Sequence, residues 1–149
     1  MKRALTAVTL GTAFLTALAT GVAGAEVRPA DAWLRTNVSG THACPRGYIC
    51  IFEHYQGNRD HTGKMLAFKG DIENLSWYSA NDWASSVVNK SRNTATLYGD
   101  YDFRGPTGVI RPGHRASFEN NQPIHNDWTS SVRVRYGDNG GDDWNSSGV

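Results

Sequence analysis

The chain has 149 residues, 39% hydrophobic and 19% charged, with a formal net charge of +1. That is the length of one domain, and the balance excludes a disordered charged tail, a multi-domain enzyme and a multi-span membrane protein. A near-neutral chain also lacks the surplus of clustered Lys and Arg on which nucleic-acid binding draws.

In chain order, the first element reads as an export signal. Lys2 and Arg3 precede an apolar, small-residue run from Ala4 to Ala19, and Ala23-Gly24-Ala25 supplies the small-x-small pattern of a cleavage site. The run is too short and too diluted by Thr and Gly to span ~30 Å of hydrocarbon. Removal of residues 1–25 takes Lys2 and Arg3 from the 15 cations, leaving 13 against 14 anions. Residues 26–43 then form a polar leader without a clear period. Next come Cys44 and Cys50, bracketing Pro45-Arg46-Gly47-Tyr48-Ile49. In an exported chain an even, closely spaced pair reads as a disulfide. A zinc site would need two further soft ligands, and only His42 and His54 are near.

Short β-type runs follow at Ile49–His54, Lys64–Phe68, Ser86–Asn89, Ala95–Tyr98, Val109–Arg111 and Ser131–Tyr136, punctuated by Gly, Asn, Asp and Pro. Sixteen Gly, five Trp and six Tyr fit the same picture of turn-rich, antiparallel strands. From residue 137 the tail is rich in Gly, Asp, Asn and Ser and predicts a frayed end.

The sequence also repeats itself. Asn81-Asp82-Trp83-Ala84-Ser85-Ser86-Val87 returns 45 residues later as Asn126-Asp127-Trp128-Thr129-Ser130-Ser131-Val132. Matching openings precede the two copies: Ile51-Phe52-Glu53-His54 with Tyr55-Gln56-Gly57, and Leu97-Tyr98-Gly99-Asp100 with Phe103-Arg104-Gly105. Two units of about this size must share one core, because neither can bury enough surface alone. Each repeated segment supplies an amide oxygen, a carboxylate and a hydroxyl. These are hard donors of the kind Ca²⁺ takes, and one carboxylate per site implies weak affinity, on the order of 10⁻⁵ to 10⁻³ M. A single copy is better read as an Asx turn leading into a strand; two copies at matched positions reverse that preference and favour the cation. Trp83 and Trp128 are expected as core plugs beneath their loops.

This arrangement resembles the microbial βγ-crystallin superfamily. Tyr98-Gly99-Asp100-Tyr101-Asp102-Phe103-Arg104-Gly105 matches its Tyr/Phe-x-x-x-x-Phe/Tyr-x-Gly opening, and Asn81–Ser86 and Asn126–Ser131 match its Asn/Asp-Asn/Asp-x-x-Ser/Thr-Ser calcium signature. The Cys44–Cys50 lead-in is similar, more narrowly, to secreted proteins grouped as peptidase inhibitor family I36. The resemblance implies an all-β fold over residues 44–136, two Greek-key units packed as one β-sandwich. It also implies Ca²⁺ as cofactor. Ser85 and Ser130 would supply side-chain oxygen and Asp82 and Asp127 carboxylate or backbone oxygen. Asn81 and Asn126 would shape each site, and carbonyls of Glu53 and Gly99 would come from the hairpin of the opposite unit. Ser86 and Ser131 would pin the folded hairpins, and Gly57 and Gly105 would let them turn. One departure stands out: only two residues separate Phe52 from Tyr55, which predicts a shorter first hairpin and a weak or empty site at Glu53.

Enzyme motifs are missing. There is no H-E-x-x-H, no G-x-S-x-G and no free Cys, while His114, His125, Asp100 and Asp102 lie in polar turns. The function the resemblance implies is a secreted, calcium-stabilised, monomeric peptidase inhibitor. It would meet an extracellular protease, and neither nucleic acid nor membrane, through the Cys44–Cys50 loop or the Asp100–Gly108 turn. The alternative is a calcium-stabilised wall- or carbohydrate-binding module of killer-toxin type, touching its ligand through Trp33, Trp77, Tyr78 and Tyr101.

Overall fold

The computed structural model describes residues 31–119 and 123–136. The expected signal at 1–25, the start of the leader and the tail from residue 137 lie outside the described residues.

Two antiparallel sheets carry the fold. The first has the order β1-β3-β2-β4-β7, formed by β1 (Trp33–Val38), β2 (Ile49–Phe52), β3 (Gly63–Phe68), β4 (Ser86–Asn89) and β7 (Arg115–Ser117). The second has the order β6-β5-β8, formed by β5 (Thr94–Asp100), β6 (Arg104–Ile110) and β8 (Ser131–Arg135). Each repeat lends an edge to the other's sheet. Strand β7, from the second repeat, pairs with β4, and Ile72, from the first, bridges Val132 on β8 with N–H···O distances of 2.8 and 2.9 Å. The two units are thus interleaved and share a core.

Period-two alternation decides where that core sits. On β2, Ile49 and Ile51 face inward with Leu66, Phe68, Val87, Leu97, Ile110 and Val132, between the sheets. The intervening Cys50 and Phe52 face outward yet are fully buried, in a second cluster with Val38, Cys44, Met65, Ala67 and Val88. A sheet apolar on both faces needs a cover on each, and here the segment before β2 supplies the outer one. Trp33 and Tyr48 pack on this cluster edge to face at 6.1 Å, and the Cys44–Cys50 disulfide closes it.

Within the leader of residues 26–43, Trp33–Val38 pairs with β3, and Trp33, Val38 and Ala43 pack on this cluster. β1 went unseen because Arg35, Thr36 and Asn37 face solvent and its pairing with β3 shifts register between Arg35 and Val38. Only three residues long, β7 offers no pattern to read. Strand β6 begins five residues earlier than expected, because the edge position tolerates Pro106, whose missing N–H removes no ladder bond there.

The first hairpin is longer than the second, not shorter. Phe52 pairs with Met65, enclosing residues 53–64, whereas Tyr98 pairs with Thr107, enclosing residues 99–106. Phe52 and Tyr98 are equivalent, since they face Ser86 and Ser131. Gly57 therefore stands where the second hairpin has Phe103, five residues on in each case. The ring of Phe103 meets Tyr98 at 5.8 Å. At Gly57 the backbone is left-handed (φ 71°), and an added Cβ would come within 2.5 Å of the Thr41 methyl. No ring fits where Thr41 sits.

Candidate metal centre

The two repeated segments grip each other. Asp82 and Asp127 both adopt left-handed backbone, φ 51° and 56°, a conformation that Asp tolerates. Each thereby turns its amide toward the other copy. Asp82 N–H donates to the Thr129 carbonyl at 3.2 Å, and Asp127 N–H to the Ala84 carbonyl at 3.1 Å. Just beyond, Ser85 and Ser130 donate their N–H groups to the carbonyls of Phe52 and Tyr98, at 2.8 and 2.9 Å.

Two clusters of oxygen result. In the first, the Ser85 hydroxyl donates to the Glu53 carbonyl at 2.6 Å and also lies in hydrogen-bond contact with the Asp127 carboxylate. In the second, the Ser130 hydroxyl donates to Asp82 Oδ1 at 3.0 Å. The pairing β2–β4 sets Phe52 opposite Ser86, so Glu53 and Ser85, the next residues outward, end side by side. The expectation that carbonyls come from the opposite unit is therefore corrected. Glu53 belongs to the same unit as Ser85, and the carboxylate is what crosses over. Gly99 occupies the place matching Glu53; an added Cβ there would lie 3.2 Å from Pro106 and 3.6 Å from the Trp128 carbonyl oxygen. The second hydroxyl is turned to Asp82.

Both clusters hold more acceptors than protons. One hydroxyl proton of Ser85 serves a carbonyl and a carboxylate. The Asn81 and Asn126 side chains each donate to the neighbouring Asp carboxylate, while their own Oδ1 atoms are buried without a hydrogen-bond partner. A buried orphan oxygen costs about 1–3 kcal/mol, and here it recurs at the same place in both copies. A hard divalent cation relieves that excess, so the donor set fits Ca²⁺. Among the described residues, no group of three or more His, Cys, Asp or Glu side chains is arranged to hold a metal. The oxygens gathered in each cluster are those of a hydroxyl and a single carboxylate, joined in the first by the Glu53 carbonyl.

Electrostatics separate the two acids of the first cluster. Burial alone would raise the Glu53 carboxyl, but Lys64 outweighs it and holds the group below its ordinary value of 4.5. The Lys64 N–H donates to Glu53 Oε2 at 2.8 Å and its ammonium lies 3.1 Å from Oε1. Glu53 is therefore committed to Lys64 by its side chain and free to face the cluster by its carbonyl. The Asp127 carboxyl is raised above 3.8, chiefly by burial and further by the charges of Glu53 and Asp82, against the Ser85 hydrogen bond and His54.

The pinning serines lie one residue further in and are buried. Ser86 Oγ donates to the His54 carbonyl at 2.7 Å and accepts the Gly57 N–H at 2.9 Å. Ser131 Oγ donates to the Asp100 carbonyl at 2.6 Å and accepts the Phe103 N–H at 3.1 Å. Gly105 is left-handed (φ 78°), and a Cβ there would strike the Asp100 carboxylate.

A cleft of about 360 Å³ opens on the first cluster, lined by Glu53, Asp82, Ser85, Asn126 and Asp127, and also by His54, Tyr55 and Trp83. Sequence reasoning missed His54 and Tyr55 here. Their only signal was position, directly after Glu53 in the opening. Trp83 is half-buried on the core with Nε1 donating to the Ser79 carbonyl at 2.7 Å. Trp128 departs from the expected core plug: it is 38% exposed and rests on His125, 4.7 Å between ring centres. Of the four aromatics assigned to wall contact, only Tyr101 is exposed; Trp33, Trp77 and Tyr78 are half-buried against the core clusters.

Comparisons with known proteins agree with this architecture. Residues 37–110 match the family model described as peptidase inhibitor family I36. A βγ-crystallin from Ciona intestinalis is similar at 26% identity and a TM-score of 0.52, over 60% of this chain and all of that one. A structure concerned with the evolution of the eye lens βγ-crystallin domain fold matches at 22% identity and a TM-score of 0.55, over 68% of this chain and 95% of that one. No curated protein sequence matches the chain. The match to a peptidase inhibitor family points to a non-enzymatic protein. The chain thus has the βγ-crystallin fold and, over residues 37–110, is similar to peptidase inhibitor family I36.

Proposed function

We propose that this is a secreted peptidase inhibitor whose fold is stabilised by calcium held between its two repeats. The match of residues 37–110 to an inhibitor family carries the inhibitory reading. The recurrence of an acceptor-rich oxygen cluster, with an orphaned Asn oxygen in both copies, supports the calcium reading. In it Ser85, the Glu53 carbonyl and Asp127 hold one ion, and Ser130, Asp82 and the backbone at Gly99 the other, with Asn81 and Asn126 steadying the carboxylates. Calcium would add charge compensation where Asp127 now carries an unfavourable one, and so tie together the repeats that its ligands come from. The disulfide, buried at both cysteines, fits an oxidising, extracellular setting.

For the inhibitory surface, the Asp100–Gly108 hairpin is favoured over the disulfide loop. Between Pro45 and Tyr48 the chain makes a tight turn, Gly47 takes φ 82°, and its N–H is spent on the Lys90 carbonyl. Such a turn offers no extended stretch to a protease cleft. Residues 104–107, by contrast, are an exposed edge strand with Tyr101 beside them, and an unpaired edge can add a strand to a partner. Titration of the protein against a thermolysin-type metalloprotease and a subtilisin-type serine protease, both in calcium buffer, tests this. A stoichiometric endpoint with uncut inhibitor is expected for one of them; no inhibition of either by folded protein contradicts it.

A further inference from the structure

The two hairpins differ in the pair of residues at their mouths. In the first, Phe52 faces Met65, so the next residues outward are Glu53 and Lys64, and Glu53 N–H donates to the Lys64 carbonyl at 3.0 Å. In the second, Tyr98 faces Thr107, and the same step sets Gly99 against Pro106. An ion pair is therefore built into the hairpin of the first oxygen cluster. Neither residue at the matching place of the second can carry charge.

Lys64 engages both oxygens of the Glu53 carboxylate. Its backbone N–H donates to Oε2 at 2.8 Å, and its ammonium lies 3.1 Å from Oε1. The ammonium is also 5.6 Å from the centre of the Trp83 ring, which lines the cleft. The Glu53 carbonyl meanwhile accepts from the Ser85 hydroxyl at 2.6 Å, inside the cluster. The carboxylate lies within electrostatic reach of that cluster: the Asp127 carboxyl, raised chiefly by burial, is raised further by the charges of Glu53 and Asp82.

The charge at the cleft follows from this pairing. Glu53, Asp82 and Asp127 all line it, and neither Asp82 nor Asp127 is in ion-pair contact with a Lys or Arg among the described residues. With Glu53 neutralised, two carboxylates face an arriving cation; without the Lys64 ammonium there would be three. The Lys64 backbone N–H survives a change of side chain, so the carboxylate stays in place and only the charge balance shifts.

We propose that Lys64 sets the calcium affinity of the first cluster, holding it weak by neutralising Glu53 beside the oxygens that take the ion. The inference rests on the calcium reading above. Removing one positive charge beside a divalent ion in a partly solvated site strengthens binding by roughly tenfold. The Lys64 side chain is 40% exposed, so salt weakens the effect.

The test is a calorimetric calcium titration of the full chain at about 10 mM salt. Lys64→Met keeps the apolar stem over Trp83 and loses the charge; its Kd should fall roughly tenfold at one site and stay unchanged at the other. Lys64→Arg restores the cation and should remain within about twofold of wild type. Glu53→Gln keeps the carbonyl but leaves the ammonium unpaired, and should bind roughly tenfold more weakly at the same site. At about 1 M salt, where the screening length drops to about 3 Å, the gain in Lys64→Met should shrink to about twofold. If wild type and Lys64→Met both fail to bind calcium, the calcium reading falls and this inference with it. If wild type binds but Lys64→Met binds no tighter, or Lys64→Arg shares the gain, or the gain persists undiminished at about 1 M salt, the inference alone is overturned.

Discussion

Replacing Ser86 by Ala removes one oxygen atom and two hydrogen bonds. The hydroxyl is 1% exposed; it donates to the His54 carbonyl at 2.7 Å and accepts the Gly57 N–H at 2.9 Å. Gly57 is itself buried, so its N–H finds no water once the hydroxyl is gone. Two net hydrogen bonds at about 1 kcal/mol each, plus the extra cost of leaving a buried donor unmade, come to about 3 kcal/mol. In a domain of this size 1 kcal/mol moves the melting temperature by about 4 °C, so Ser86→Ala should melt about 10 °C lower. The assay is a thermal melt in EDTA, which removes any contribution from metal. The same variant should still respond to calcium, because Ser86 faces the hairpin and Ser85 faces the oxygen cluster. A melt within about 2 °C of wild type in EDTA would refute the claim that this hydroxyl holds the hairpin folded.

Two further outcomes follow from single residues. Asp127 holds its proton more tightly folded than unfolded, so its ionisation costs stability. That cost is absent below the ordinary value of 3.8 and complete above the raised folded value. Melts in EDTA should thus show Asp127→Asn more stable than wild type at neutral pH, with the gap closing as pH falls through the carboxylate range; an Asn variant less stable at neutral pH refutes the assignment. Glu53, lowered by Lys64, works in the opposite direction and loses its contribution as pH falls. Gly57→Ala puts a Cβ 2.5 Å from the Thr41 methyl at φ 71° and should cost about 1–3 kcal/mol in a denaturant titration; Gly113→Ala, also left-handed but in open space, should cost less.

Much of this was legible in the sequence because it was local. The repeated Asn-Asp-Trp-x-Ser-Ser segment needed no fold to be seen, and six of the strands follow from short apolar runs. What depends on topology was hidden. The exchange of Asp82 and Asp127 between units arises because left-handed aspartates turn their amides into the opposite copy, which no spacing reveals. The hairpin lengths were misjudged because Tyr55-Gln56-Gly57 looks like Phe103-Arg104-Gly105, while strand pairing equates Gly57 with Phe103. Strand β1 was obscured by its solvent-facing polar residues.

The account turns most directly on whether calcium bridges the two repeats, and a pair of melts decides it. With a Kd of about 10 μM, calcium at about 1 mM stabilises the folded state by roughly 2.7 kcal/mol per site. With both sites filled that is about 5 kcal/mol, so wild type should melt about 20 °C higher in calcium than in EDTA, and about 10 °C higher where only one site fills. Ser85→Ala combined with Ser130→Ala should abolish that shift. Wild-type melts that overlay with and without calcium would contradict the account, however well the double variant folds.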